Sequence, residues 1–314
     1  MPEKENKLKA LASNCAYQLA DVEKTAPQFI PITPRWLTRF LDWKPLESGI
    51  FRLNMVKDGE KLLDVLCSQK NSDDIPEGFI DYEPNPREYV LTSVSSIIKM
   101  ETRVSDIYSK PYDQIKEQLR LGMESIKEKQ ESLIVNSDDY GLLKNIDSSQ
   151  RIQSRSGYPT PDDFDELICK VWKEPCFFLA HPAAIAAFGR ECTKRGVPPV
   201  AVNLYGSSFV TWRGIPIVPC NKLLVDGLKK PKDNKGKTNI LLIRSGERKQ
   251  GVIGLYQAGL PGEQSNGLSV RFMGINNQGI GNYLLSIYCS VAILTEDAIA
   301  VLENVDIGNY YDYK

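Results

Sequence analysis

A single histidine, His181, serves all 314 residues, and that scarcity removes much of catalytic chemistry at the outset. A Ser–His or Cys–His pair would have to use it, and a histidine-ligated metal site has no second imidazole to draw on. His181 stands just before Pro182, between the apolar stretches CFFLA and AAIAAF, so it reads as a packed or helix-capping residue. The seven cysteines (Cys15, Cys67, Cys169, Cys176, Cys192, Cys220 and Cys289) are odd in number, widely spaced and contain no C-x-x-C pair. That excludes a disulfide framework and gives no zinc or dithiol motif. Cys176 and Cys289 lie in apolar segments and read as small buried hydrophobes. No run approaches the roughly 18–20 apolar residues of a membrane helix, and the start, MPEKENKLKA, lacks a secretory core. The expected location is the cytoplasm. Basic residues number 39 and acidic 40, a net charge of -1, so neither nucleic acid nor an anionic membrane is expected as a partner.

What is present is ordinary globular material, 42% hydrophobic and 25% charged, arranged unusually. Leu8, Leu11, Ala12, Cys15 and Leu19 make a helical stripe too short to stand alone. Pro27, Pro31 and Pro34 then force an extended path. This is an arm with little core of its own, suited to lie across a neighbour. SGIFRLNMV (48–56) reads as a strand. Residues 58–86 are polar and turn-rich. EYVLTSVSSIIKMETRV (88–104), with Val90, Val94, Ile98 and Met100 at even spacing, predicts one arm of an extended hairpin loop. Ser109-Lys110-Pro111 opens a long helix to about Glu131, with Ile115, Leu119, Met123 and Ile126 as its apolar stripe.

Residues 135–158 are polar and irregular. Thr160-Pro161-Asp162-Asp163 is a helix start with a cap oxygen, a first-turn proline and carboxylates matched to the helix dipole. CFFLA (176–180) predicts a short buried strand, and His181-Pro182 a helix closing at Gly196. Beyond 200, SFVTW, IPIV, NILLIR, VIGLY, LSVRFM and YLLSIYCSVAIL predict strands. Thr295-Glu296-Asp297 predicts the cap of a last helix, AIAVLENV. The class is therefore α+β.

No motif adds chemistry. GINNQGIGN (274–282) and AGLPGEQSNG (258–267) are turns by composition rather than phosphate cradles. KKPKDNKGK (229–237) lacks interleaved aromatics and reads as a solvated loop. Asp162, Asp163, Asp165 and Glu166 are explained by the helix dipole. Four tryptophans and fourteen tyrosines offer area for subunit interfaces. No catalytic, cofactor-binding or metal residue is assigned.

Long phrases nonetheless resemble a known family. FFLAHPAAIAAFGRECTKRGVPPVAVNLYGSSFVTWRGIPIVPCNKL, TNILLIRSGERKQGVIGLYQAGLPGEQSNGLSVRFMGIN and YLLSIYCSVAILTEDAIAVLENV are similar to family 2 encapsulin shell proteins, and the likeness extends to the proline-rich arm and ESGIFRLN. With no spare segment for the cyclic-nucleotide-binding-like insertion of some members, the chain resembles the insertion-free subgroup. The resemblance implies the Hong Kong 97 phage capsid fold. Its parts would be an N-terminal arm (1–48), a strand and extended loop (49–110), a spine helix and peripheral domain (111–175), an axial domain (176–280) and a peripheral return (281–314). It implies a shell rather than an enzyme: a closed icosahedral nanocompartment of the simplest kind, a 60-mer around a cargo. The cargo implied is a cysteine desulfurase of sulfur metabolism, whose pyridoxal phosphate belongs to the cargo and not to this chain. In that fold Asn203, Tyr205, Gly206 and Ser207 would lie near a five-fold pore, against the alternative of an ordinary surface loop. Two other readings stand beside it: a phage major capsid protein packaging DNA, and a soluble cysteine-dependent enzyme pairing Cys176 or Cys192 with His181. A peripheral membrane protein using residues 5–20 has too weak an amphipathic face.

Overall fold

The computed structural model describes residues 34–56, 78–101, 114–226 and 236–311. The amphipathic helix expected over 7–20, the basic loop at 229–235, residues 57–77 of the extended loop and the helix start expected at 109–111 lie outside them. The described elements are α1 (Trp36–Phe40), β1 (Asp42–Leu46), β2 (Ile50–Leu53), β3 (Arg87–Val90), β4 (Thr92–Met100), α2 (Gln114–Asn136), α3 (Leu142–Asn145), β5 (Arg151–Gln153), α4 (Pro161–Lys170), β6 (Phe177–Ala180) and α5 (Pro182–Lys194). Strands then dominate: β7 (Val200–Leu204), β8 (Ser207–Trp212), β9 (Ile215–Pro219), β10 (Lys237–Ile243), β11 (Val252–Gln257), β12 (Glu263–Ser265), β13 (Leu268–Ile275), β14 (Gly281–Ile293) and β15 (Ile299–Asp306). The α+β expectation holds.

Two sheets organise the chain. One has seven strands in the order β5-β15-β10-β6-β9-β8-β7, and both faces of its central strands β15, β10 and β6 are buried. Odd and even residues of one strand therefore feed different cores, as strand geometry requires. Phe177, Leu179, Leu241, Ile243, Ile299 and Val301 face one core, while Phe178, Ala180, Ile240, Leu242, Ala300 and Leu302 face the other. The second core is closed by Phe164 and Leu167 of α4 and by Ala184, Ala187, Phe188 and Cys192 of α5. Phe164 stacks on Phe188 at 4.0 Å between ring centroids.

The other sheet runs β1-β11-β14-β13-β12, with β4 also paired to β14. Helix α2 lies on it. Ile126, Leu119 and Met123 meet Leu268, Leu285, Ile287, Val94 and Ile98, so most of the expected stripe is the buried one. Gly122 permits the close approach, because a Cβ there would sit 2.0 Å from Ile98 Cδ1. The helix continues past the expected end at Glu131 to Asn136, and its last turn puts the fully buried Ile134 and Val135 into the first core. That core also holds Val252, Val291 and Ile293 of the second sheet, so it welds the two sheets together.

Three expectations need correction. The stretch AIAVLENV is not a helix but the buried strand β15, lying between β10 and β5. A strand buried on both faces reads as an unbroken apolar run, which periodicity cannot separate from a buried helix. Thr295 makes no side-chain cap bond to the short turn Glu296–Ala298. The last part of the arm has a core role, since Trp36 and Leu37 are buried and β1 pairs in parallel with β11. The irregular stretch 135–158 carries buried Tyr140, Leu142, Ile146 and Ile152.

Candidate assembly surfaces

Residues 200–212 form the hairpin β7–β8, with Leu204 opposite Ser207 and Asn203 opposite Ser208. Only Tyr205 and Gly206 connect the strands, with φ of 51° and 75°. Two positive φ values are what a two-residue turn of type I′ demands, and they let the turn follow the strand twist. Tyr205 bears the strain of a left-handed backbone and is 66% exposed, yet its ring meets Phe40 edge-on at 5.3 Å. That contact ties the tip back to α1. The structure thus brings Asn203, Tyr205, Gly206 and Ser207 together at one protruding tip.

Other apolar surface is also uncovered. Gly274 (φ 112°) accompanies a register break between Phe272 and its neighbour. Around it Phe272, Met273 and Ile275 are exposed at the end of β13. Asn276 Oδ1 accepts the amides of Gln278 and Ile280, both at 2.9 Å, and holds the turn to β14. On the β2–β3 pair, Ile50 and Val90 sit opposite each other and both are exposed. Patches of this kind mark sites of association rather than chemistry.

The junction of the sheets is polar and fixed. Both described connections between them, after β10 and after β14, pass Arg244, whose side chain is fully buried. It donates to Asp297 Oδ1 at 2.8 Å and Oδ2 at 3.2 Å, to Thr295 Oγ1 at 2.8 Å and to the carbonyl of Gln250 at 3.3 Å. Burial alone would push the Asp297 carboxyl up, but Arg244, Thr295 and Lys173 outweigh it and hold the carboxyl below the usual range. A second network lies where α1 meets α2: Arg35 reaches Glu124 at 2.6 Å and Glu128 at 3.2 Å on α2, and Lys222 also pairs with Glu128. This network anchors the point where the arm enters the described chain. Sequence reasoning missed both networks, because their partners are far apart along the chain.

The geometry does not assemble a cysteine–histidine pair. His181 caps α5, its Nδ1 accepting the Ala183 amide at 3.1 Å, and burial lowers its pKa. Cys176 lies at the opposite end of β6, about 16 Å along the strand. Cys192 is three turns along α5, about 16 Å away by helix rise, and burial pushes its thiol up to about 11. Among the described residues no group of three or more His, Cys, Asp or Glu side chains could hold a metal, and no helix is long and apolar enough to cross a membrane.

A helix-backed sheet joined to a doubly covered sheet, with apolar hairpins projecting, is the architecture of capsid-type shell proteins. The capsid protein of a native GTA particle superposes with a TM-score of 0.61 over 94% of this chain and 99% of that one at 11% identity, a likeness of fold alone. The Hong Kong 97-type capsid fold is thereby established. The family model for "Type 2A encapsulin shell protein SrpI-like" matches residues 51–309. The chain is 57% identical over 305 residues to the Type 2A encapsulin shell protein SrpI of Synechococcus elongatus, covering 97% of each. It is 50% identical, over the full length of both, to the Type 2A encapsulin shell protein of Mycolicibacterium paratuberculosis. The cryo-EM structure of the holo-SrpI encapsulin complex from Synechococcus elongatus PCC 7942 superposes with a TM-score of 0.82 at 54% identity, covering 97% of this chain and 99% of that one. The chain belongs to the Type 2A encapsulin shell protein family, whose named members are shell proteins and not enzymes.

Proposed function

We propose that this chain closes into an icosahedral compartment of sixty copies around a cargo enzyme, a cysteine desulfurase carrying pyridoxal phosphate, in the cytoplasm. The observation that carries the shell reading is the match to a holo-encapsulin subunit over nearly the whole chain. The cargo rests on the family resemblance of the sequence. The seven-stranded sheet with α4 and α5 would form the axial unit, and the β4–β14 sheet with α2 the peripheral one. Heterologous contacts around the five-fold and three-fold axes then close the shell. At the axial tip, Asn203, Tyr205, Gly206 and Ser207 would ring the five-fold opening. These four residues carry no charge and are held by the two-residue turn.

Two experiments test these statements. Negative-stain microscopy of the purified chain, with mass spectrometry of co-purifying proteins, should show uniform closed particles and a pyridoxal-phosphate enzyme; a different co-purifying enzyme overturns the cargo assignment. Tyr205→Ala should change the rate at which small molecules reach an encapsulated reporter while leaving assembly intact. Unchanged flux removes these residues from the pore.

A further inference from the structure

The edges of the sheets differ in a way that points to a specific contact. Strand β1 carries Asp42, Lys44 and Pro45; β5 carries Arg151; β12 has three residues, one of them Glu263; β4 carries Lys99. Charges, prolines and short length are the devices that stop an edge from recruiting another strand. Strand β7, Val200–Leu204, has none of them. Its sequence is VAVNL, its register with β8 is unbroken, and β8 is its sole strand partner among the described residues. Its first four residues are exposed, Val200 at 72%. In a hairpin with a two-residue turn, the residues flanking the turn exchange hydrogen bonds and the pattern alternates from there. Val200, Val202 and Leu204 therefore bond to β8. The N–H and C=O of Ala201 and Asn203 point away from the sheet.

We infer that the free edge of β7 accepts an extended segment from a second copy of this chain, with backbone hydrogen bonds at Ala201 and Asn203 joining neighbouring subunits. The inference rests on the shell reading, because a shell presses copies of one chain against each other. The strand's lack of charge argues against a polyelectrolyte occupant, and main-chain pairing needs only an extended partner. Val200 and Val202, flanking the bonded positions, supply the apolar cover, continuous with the exposed Tyr205.

Hydrogen exchange of the full-length chain tests this, comparing cargo-free particles with dissociated subunits. The Ala201 and Asn203 amides should exchange at least ~10-fold more slowly in the particle, as expected for bonds that open only with the contact. Ala201→Pro removes an outward N–H without touching the β8 ladder. It should leave the subunit's circular dichroism unchanged and raise the concentration needed for assembly at least ~10-fold, whereas Ala201→Thr, which keeps the N–H, should assemble normally. Fast exchange at both amides in intact particles overturns the inference and leaves the shell reading standing. Protection that appears only with cargo present assigns the edge to the cargo instead. If Ala201→Pro does not fold, the exchange comparison on the unaltered chain decides. A chain that forms no particle at all sinks the shell reading itself.

Discussion

Arg244 shows how one buried residue can hold the two halves of a subunit in register. Its guanidinium is fully buried and faces Asp297 with two hydrogen bonds, so removing the Asp297 charge strands a cation in low dielectric. Asp297→Asn should cost about 3–5 kcal/mol in urea unfolding of the dissociated subunit. The same pair sets an acid dependence. The folded carboxyl binds its proton less tightly than the unfolded one, so its contribution is complete above the ordinary Asp range near pH ~4. It is lost as pH falls toward the depressed folded value. Asp297→Asn should flatten the loss of stability below pH ~4; an unchanged acid slope would deny the pair that role. Gly254 gives a second residue-scale test. A Cβ there would lie 2.6–2.9 Å from the indole of Trp43, its cross-strand partner, and a rigid ring cannot step aside as a methyl can. Gly254→Ala should cost about 1–3 kcal/mol, read as a lower urea midpoint with unchanged slope.

At the scale of elements, the helix starts at Thr160 and His181 were legible because their signals are local, whereas the similar signal at Thr295 precedes a strand. The box at Thr160–Asp163, in which Thr160 Oγ1 accepts the Asp163 amide at 3.2 Å and Asp163 Oδ2 accepts the Thr160 amide at 3.1 Å, is written in four consecutive residues. The start at His181-Pro182 is equally local. What escaped depended on tertiary setting. Ile299–Asp306 is a strand because β10 and β5 flank it, and its alternation between two cores looks from the sequence like uniform hydrophobicity. The pore candidates were legible as a turn, but their union in one hairpin follows from the pairing of 200–204 with 207–211. The arm is the element where the structure sharpens an experiment. Because Trp36, Leu37 and Leu41 belong to the first core, truncation through residue 40 would confound folding with assembly. Deleting residues 1–33 spares that core. We expect this variant to keep the urea midpoint of the isolated subunit and to lose closed particles by electron microscopy. Normal particles from it would deny the arm a part in assembly.

At the scale of the whole molecule, the chain spends its buried surface on two cores and leaves apolar hairpins in solvent. Exposed Tyr205, Val200, Met273, Ile275 and Val90 are poor choices for a subunit that stays alone, since contiguous exposed apolar surface marks association. They are sound choices for one whose neighbours cover them. The missing catalytic groups and the near-zero net charge could exclude classes of function from sequence alone, but not supply one. Membership in the Type 2A encapsulin shell family and the protruding surfaces supply it together. Surfaces of this kind are expected to close on copies of the same chain, and the mass of intact particles from the purified full-length protein decides it. One closed species with the mass of sixty subunits, plus cargo when cargo is co-expressed, is the expected result. A monomer or small oligomer at every concentration, or open filaments without a defined mass, would contradict it.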